Sequence, residues 1–132
     1  MAIWGIGAFY RGGKNTDVSE DFKRNEGVFI GWSESDAPSV RRMFSSVKAG
    51  DLVYIKSYVI KGKRIRVKAI GVVTDTVVLH DPELGVGRKV KWLCKDQFDI
   101  PLSEEDSKNN VYNNTLYEEF SPSIAAEIIK KI

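Results

Sequence analysis

The residues with the clearest chemical capacity in this chain of 132 are three cations at alternate positions, Arg64, Arg66 and Lys68, within Lys63-Arg64-Ile65-Arg66-Val67-Lys68-Ala69. A strand repeats its side-chain direction every two residues, so Ile65, Val67 and Ala69 are expected in a core and the cations on the opposite sheet face. Spaced about 7 Å apart along the strand, they suit the phosphates of a polyanion better than a compact substrate. Arg88–Leu93 alternates in the same way, with Val90 and Trp92 facing one way and Lys89 and Lys91 the other. Lys63, Arg64, Arg66, Lys68, Lys89 and Lys91 are therefore the expected phosphate contacts. A solvated strand face is the competing reading.

The distribution of charge favours the first. Residues 40–95 hold 13 Lys/Arg against 4 Asp/Glu, a local +9, whereas the remainder holds 7 against 14, a local −7, giving the net +2 of the whole chain. Such segregation points to a basic working surface on an acidic body.

Other chemistry is sparse. His80 is the only histidine and Cys94 the only cysteine, so multi-histidine and cysteine-rich metal sites are excluded, and neither a metal nor a cofactor is expected. His80 beside Asp81 has the makings of a general base but lacks an identifiable nucleophile, so no catalytic residue is assigned. Gly85-Val86-Gly87-Arg88-Lys89 resembles a phosphate loop only superficially, because a strand follows it and no helix dipole would face the anion. Among the aromatics, Trp32 stands out. It ends an apolar run and precedes the polar Ser33-Glu34-Ser35-Asp36, a position at a barrel rim from which an indole can stack on a base. Tyr10 and Tyr58 occupy similar strand ends.

The elements that must position these groups are short. Strands are expected at Ile3–Tyr10, Gly27–Trp32, Leu52–Tyr58, Lys63–Val73 with an extension over Thr76–Leu79, Arg88–Leu93 and Phe98–Leu102. A weak helix is expected over Val18–Arg24. A second should start near Asp36, with Ser35 or Asp36 as cap and Pro38 in its first turn, and close at Lys48-Ala49-Gly50-Asp51. Residues 103–120 read mainly as a polar surface loop. Residues 121–132 read as an amphipathic helix, capped by Ser121, with Ile124, Ile128 and Ile132 in one row. The fold class is thus α+β, a single domain over 1–132. About six strands would form a small twisted barrel, closed or nearly so because closure removes exposed edges, with short flanking helices and a C-terminal helix. A short apolar N-terminus without a basic leader reads as a first strand, and no apolar run approaches the roughly 20 residues of a membrane span. A soluble, cytoplasmic protein is expected.

Read in order, Ile3-Trp4-Gly5-Ile6, Gly27-Val28-Phe29-Ile30-Gly31-Trp32-Ser33, Lys48-Ala49-Gly50-Asp51-Leu52-Val53-Tyr54-Ile55-Lys56-Ser57, Ala69-Ile70-Gly71-Val72-Val73-Thr74-Asp75 and Arg88-Lys89-Val90-Lys91-Trp92-Leu93 with Ile100-Pro101-Leu102 resemble the PUA-like superfamily. Within it they are similar to EVE-type domains and their YTH and ASCH relatives, over about residues 3–102. The Gly-Asp-Leu-Val followed by Ile-Gly-Val-Val is the most specific piece. The resemblance implies a twisted barrel with a concave pocket for a nucleobase, often a modified one. Its walls would be Phe9 and Tyr10, Trp32, and Lys56 and Ser57. The first strand departs from the EVE pattern, ending Gly-Ala-Phe-Tyr where those relatives carry a Lys-Ser pair.

Together these residues lead to the expectation of a nucleic-acid-binding module for DNA or RNA, in one form a reader of a modified base, with the basic strands holding phosphates and the pocket receiving the base. The rival is a protein-interaction or regulatory domain without nucleic-acid binding. A third reading is a small nucleic-acid-processing enzyme using His80.

Overall fold

The alternating segment forms the spine of the main sheet in a computed structural model that describes residues 1–12, 14–31 and 37–132, with backbone alone at 11, 12, 14 and 15. In chain order the elements are β1 (Ile3–Gly7), β2 (Phe9–Gly12), β3 (Lys14–Asp17), α1 (Ser19–Arg24), β4 (Gly27–Ile30), α2 (Pro38–Phe44), β5 (Leu52–Val59), β6 (Arg64–Asp81), β7 (Gly85–Cys94), β8 (Phe98–Pro101), α3 (Glu104–Ser107), β9 (Leu116–Glu118) and α4 (Pro122–Lys130). A 3-10 turn, Asn110–Asn113, links α3 to β9. The main sheet runs β4-β7-β6-β5-β1-β9, and β8 lies on β6 beside the end of β7. β1 and β5 are parallel and the other pairs antiparallel, so the sheet is mixed. It curls into a half-barrel with β4 and β9 as edges, where a barrel closed or nearly so was expected. β2 and β3 form a separate hairpin.

Each sheet face has its own core. Trp4, Ile6, Val53, Ile55, Ala69 and Val73 pack with Phe22 of α1 and Phe44 of α2 on the first. Ile3, Leu52, Tyr54, Ile65 and Val67 pack with Ile124 and Ile128 of α4 on the second. Burying side chains of this size stabilises by roughly 1.5–3 kcal/mol each. The expected alternation therefore holds only in part. All of Ile65, Val67 and Ala69 are buried, but Ala69 belongs to the first core and the other two to the second. The ladder gives the reason: Ile55 faces Ala69 while Lys56 faces Val67, so Lys68 is an inserted bulge residue and the strand changes phase there.

The Gly-Asp corner is a structural joint. Gly50, at φ +93°, donates its N–H to the Val73 carbonyl (2.8 Å), and Val73 returns a bond to the Asp51 carbonyl (2.8 Å). The Asp51 carboxylate accepts from Ala2 N, Trp4 Nε1 and Lys48 N, each at 3.0 Å. Burial would raise this carboxyl, but those donors and the nearby terminal ammonium hold it below the ordinary aspartate range. One side chain thus ties the start of β1 to the exit of α2 and the start of β5.

Other expectations shift. The extension at Thr76–Leu79 is continuous with β6, and β7 begins at Gly85, leaving only a short turn at residues 82–84. Gly85 has φ +99°, and a Cβ there would stand 2.2 Å from the Ile30 carbonyl oxygen, which makes it a turn glycine against a neighbouring strand. The polar loop at 103–120 instead contains α3, capped by Ser103 accepting from Asp106 N (3.0 Å), as well as the 3-10 turn and β9. In α4, Ile124 and Ile128 are buried, but the helix ends at Lys130 and Ile132 is half exposed. Ser35, Asp36 and Trp32 lie outside the described residues.

Candidate functional site

Arg64 and Arg66 stand side by side on the first face of β6, opposite in direction to the buried Ile65 and Val67. Both are held by one carboxylate. Arg64 Nε donates to Asp99 Oδ2 (2.9 Å), and Arg66 donates through Nε to Oδ1 (3.0 Å) and through Nη2 to Oδ2 (3.4 Å). Asp99 sits directly across the ladder from Arg66 on β8, which explains the contact. The Arg66 guanidinium, followed by that of Arg64, keeps the Asp99 carboxyl below its usual range. The two arginines remain about one-third exposed, at 37% and 35% of their side-chain area. Two guanidiniums on one carboxylate leave a net positive charge and an orientation already set.

Lys63 is exposed in the turn before β6, and Ser57 faces Arg66 across the β5–β6 ladder, so its side chain lies on the same face. Lys68 Nζ bonds Asp17 Oδ2 of β3 at 2.5 Å. Burial would raise the Asp17 carboxyl, but the Lys68 and Ser19 hydrogen bonds lower it overall. Phe9, 55% exposed, faces Asp17 across the small hairpin. An exposed aromatic ring therefore adjoins the cation row through a single ion pair.

The remaining expected site residues lie elsewhere. Lys91 faces Val72, which packs on the second core, and Lys89 shares its direction, so both are exposed on the face opposite Arg64 and Arg66. The six expected phosphate contacts thus divide between two faces. Lys56 also points to the second face, because it opposes Val67. It is only 6% exposed; its Nζ donates to the carbonyls of Asn114 (2.6 Å) and Tyr112 (3.0 Å) and lies 5.3 Å from the centre of the Tyr117 ring. Burial pulls its pKa down to about 8. Tyr10 is committed to the first core: its hydroxyl donates to the Leu84 carbonyl (2.5 Å) and its ring meets Phe22 edge-on at 6.2 Å. Burial, then the Asp81 charge, raises its pKa. The four described residues of the five expected to form one base pocket therefore do not converge. Phe9 and Ser57 accompany the cation row, Tyr10 and Lys56 are interior on opposite faces, and Trp32 lies outside the described residues.

His80 is exposed on β6, while the Oδ1 of its neighbour Asp81 accepts the Glu83 and Leu84 N–H groups (both 2.9 Å) and shapes the β6–β7 turn. No described helix is long and apolar enough to cross a membrane, and no group of three or more His, Cys, Asp or Glu among the described residues is placed to hold a metal.

Sequence reasoning missed the two counter-charges, Asp99 and Asp17. Asp99 precedes Ile100-Pro101 in a predicted strand, but which strand it would oppose was not encoded in any local pattern. It also missed a buried network in which Glu119 accepts from Tyr54 (2.6 Å), Tyr112 (2.9 Å) and Ser121 N (3.1 Å), with Tyr54 and Tyr117 hydroxyls 2.7 Å apart. The signal available was Tyr112, Leu116 and Tyr117 within an otherwise polar stretch.

Residues 11–119 match a family described as a domain of unknown function, DUF8426, and the chain belongs to that family. No curated protein and no solved structure matches the chain.

Proposed function

We propose that this chain is a nucleic-acid-binding module whose half-barrel is of the PUA-like kind, and that it engages phosphates through the first face of β6. The observation that carries the reading is the arginine pair: two partly exposed guanidiniums, oriented by one shared carboxylate, with Ser57 beside them on the same face. A phosphate approaching this face competes with Asp99 for donors that already point outward, so little side-chain freedom is lost on binding. Phosphate contacts of this kind supply affinity and register without reading sequence. Phe9, exposed and opposite the Asp17 that holds Lys68, is offered to stack on an unpaired base, modified or plain, and it takes the place that Tyr10 cannot fill. Lys89 and Lys91 fall outside this interface.

A fluorescence titration of labelled mixed-sequence oligonucleotides, single-stranded and duplex, tests the reading. Arg64→Glu/Arg66→Glu should weaken binding to every sequence alike, while Lys89→Glu/Lys91→Glu should leave it nearly unchanged. Phe9→Ala should cost roughly 1–3 kcal/mol for single strands only. Equal binding by wild type and the arginine double variant would remove this face from any nucleic-acid contact.

A further inference from the structure

β9 is an edge of the main sheet, and its outer side borders a trough. The direction of its backbone groups follows from its bonds to β1. Glu119 N donates to the Ile3 carbonyl (2.7 Å) and Gly7 N to the Thr115 carbonyl (2.8 Å). In an antiparallel pair such residues alternate with ones whose N–H and C=O point away, so Leu116 and Glu118 turn theirs outward. At the Leu116 end, α2 packs on the edge, and Val40 and Met43 narrow the space to a cleft of about 440 Å³. Past Met43 the trough widens to about 1240 Å³ around Glu118. The edge is thus shielded at one end and open at the other.

The open end has a definite chemical character. Phe120, 78% exposed, and Met43, 40% exposed, provide apolar contact surface along it. Five carboxylates line it, those of Asp51, Glu105, Asp106, Glu118 and Glu119, and none forms an ion pair with a described residue. Glu119 is buried among neutral donors, which orient its charge without cancelling it, whereas Asp51 is bonded by neutral donors with the terminal ammonium nearby. Against these five carboxylates the described walls carry two cations, Lys48 and the terminal ammonium of Met1. A concave surface on which one sign of charge predominates concentrates ligands of the other.

We propose that this trough is a docking site for an extended peptide carrying lysine or arginine, which pairs its main chain with the outward N–H and C=O of Glu118 and lays an apolar side chain on Phe120. Charge complementarity selects the occupant: the strand edge requires a main chain with free N–H groups, the carboxylates require cations, and Phe120 and Met43 require an apolar residue between them. This is strand addition to a sheet edge, with main-chain bonds giving affinity and alternate side chains giving specificity. The site is separate from Arg64 and Arg66, which lie at the β8 side of β6.

The test is a fluorescence titration with a labelled, end-blocked octapeptide of alternating valine and lysine. Two control peptides accompany it: valine alternating with glutamate, and the valine–lysine peptide methylated on alternate backbone nitrogens so that one edge lacks N–H donors. The proposal expects saturable binding of the first and at least tenfold weaker binding of both controls. It also expects at least tenfold loss with Phe120→Ser, a change at an exposed side chain, and with Glu105→Lys/Glu118→Lys, the folding of each variant checked by circular dichroism. Absence of saturable binding to the wild type overturns the proposal, as does equal binding of the methylated peptide, which would mean charge attraction without strand pairing. Displacement of the peptide by an oligonucleotide in the Arg64→Glu/Arg66→Glu variant would also overturn it, because the trough would then be part of a nucleic-acid surface.

Discussion

Lys56 carries an ammonium into the interior and meets two carbonyls and a tyrosine face there, with no carboxylate bonded to it. Its pKa, drawn down by burial to about 8, lies below that of a lysine in the unfolded chain. The unfolded state therefore holds the proton over a range where the folded state has released it, so stability rises with pH from about 8 upward and is lost as pH falls back through 8. Tyr54, Tyr112 and Tyr117 reverse the trend above about pH 10, since burial raises all three and the unfolded tyrosines ionise first. Chemical denaturation between pH 8 and 10 should show a gain of about 2 kcal/mol. Lys56→Met should flatten that gain, and a slope unchanged in the variant would assign it to another group. At the basic face the informative residue is Asp99. Asp99→Asn frees two guanidiniums from their shared counter-charge, so oligonucleotide affinity should increase several-fold; a decrease would show that Asp99 positions the arginines more than it competes for them.

The C-terminal helix α4 closes the second core through Ile124 and Ile128, both essentially inaccessible. Ile128→Ala should cost roughly 2–5 kcal/mol, as a large-to-small change in a packed site, with thermal or denaturant unfolding as the readout. Ile132→Ala, beyond the helix end and half exposed, should cost far less. Much of this level was legible in the sequence. Ser121-Pro122 marked the start of α4, and Gly50-Asp51 marked the corner before β5, because caps and turns are local chemistry written in consecutive residues. The bulge at Lys68 was not legible, since a strict alternation continues through it in sequence and only the partner strand reveals the phase change. β9 was missed for a related reason. Leu116-Tyr117-Glu118 is too short to show a period, and its pairing with β1 spans most of the chain. The same limit governed the site. The arginine row was visible as a pattern, but its division from Lys89 and Lys91, and its counter-charges, depended on long-range register.

At the scale of the molecule, two surfaces of opposite charge lie at different parts of the half-barrel: the arginine row beside β8 and the acidic trough beyond β9. The sequence separates a basic stretch over residues 40–95 from an acidic remainder. The fold, however, divides the basic strand residues, with Lys89 and Lys91 on the face opposite Arg64 and Arg66, and Asp51 of the basic stretch lines the trough. On the proposed reading, a polyanion binds at one surface while the other stays open to a second partner. Counterion release gives the polyanion arm a quantitative signature, because each neutralised phosphate contributes about 0.9 to the slope of log affinity against log salt for duplex DNA and about 0.7 for single strands. The most direct measurement is that slope for the wild type and for Arg64→Glu/Arg66→Glu, across a range of salt low enough for both to bind. A slope shallower by about two units in the variant is the predicted result for a duplex probe. Identical slopes and affinities for the two folded proteins would contradict the account, since the arginine pair would then contact no phosphate.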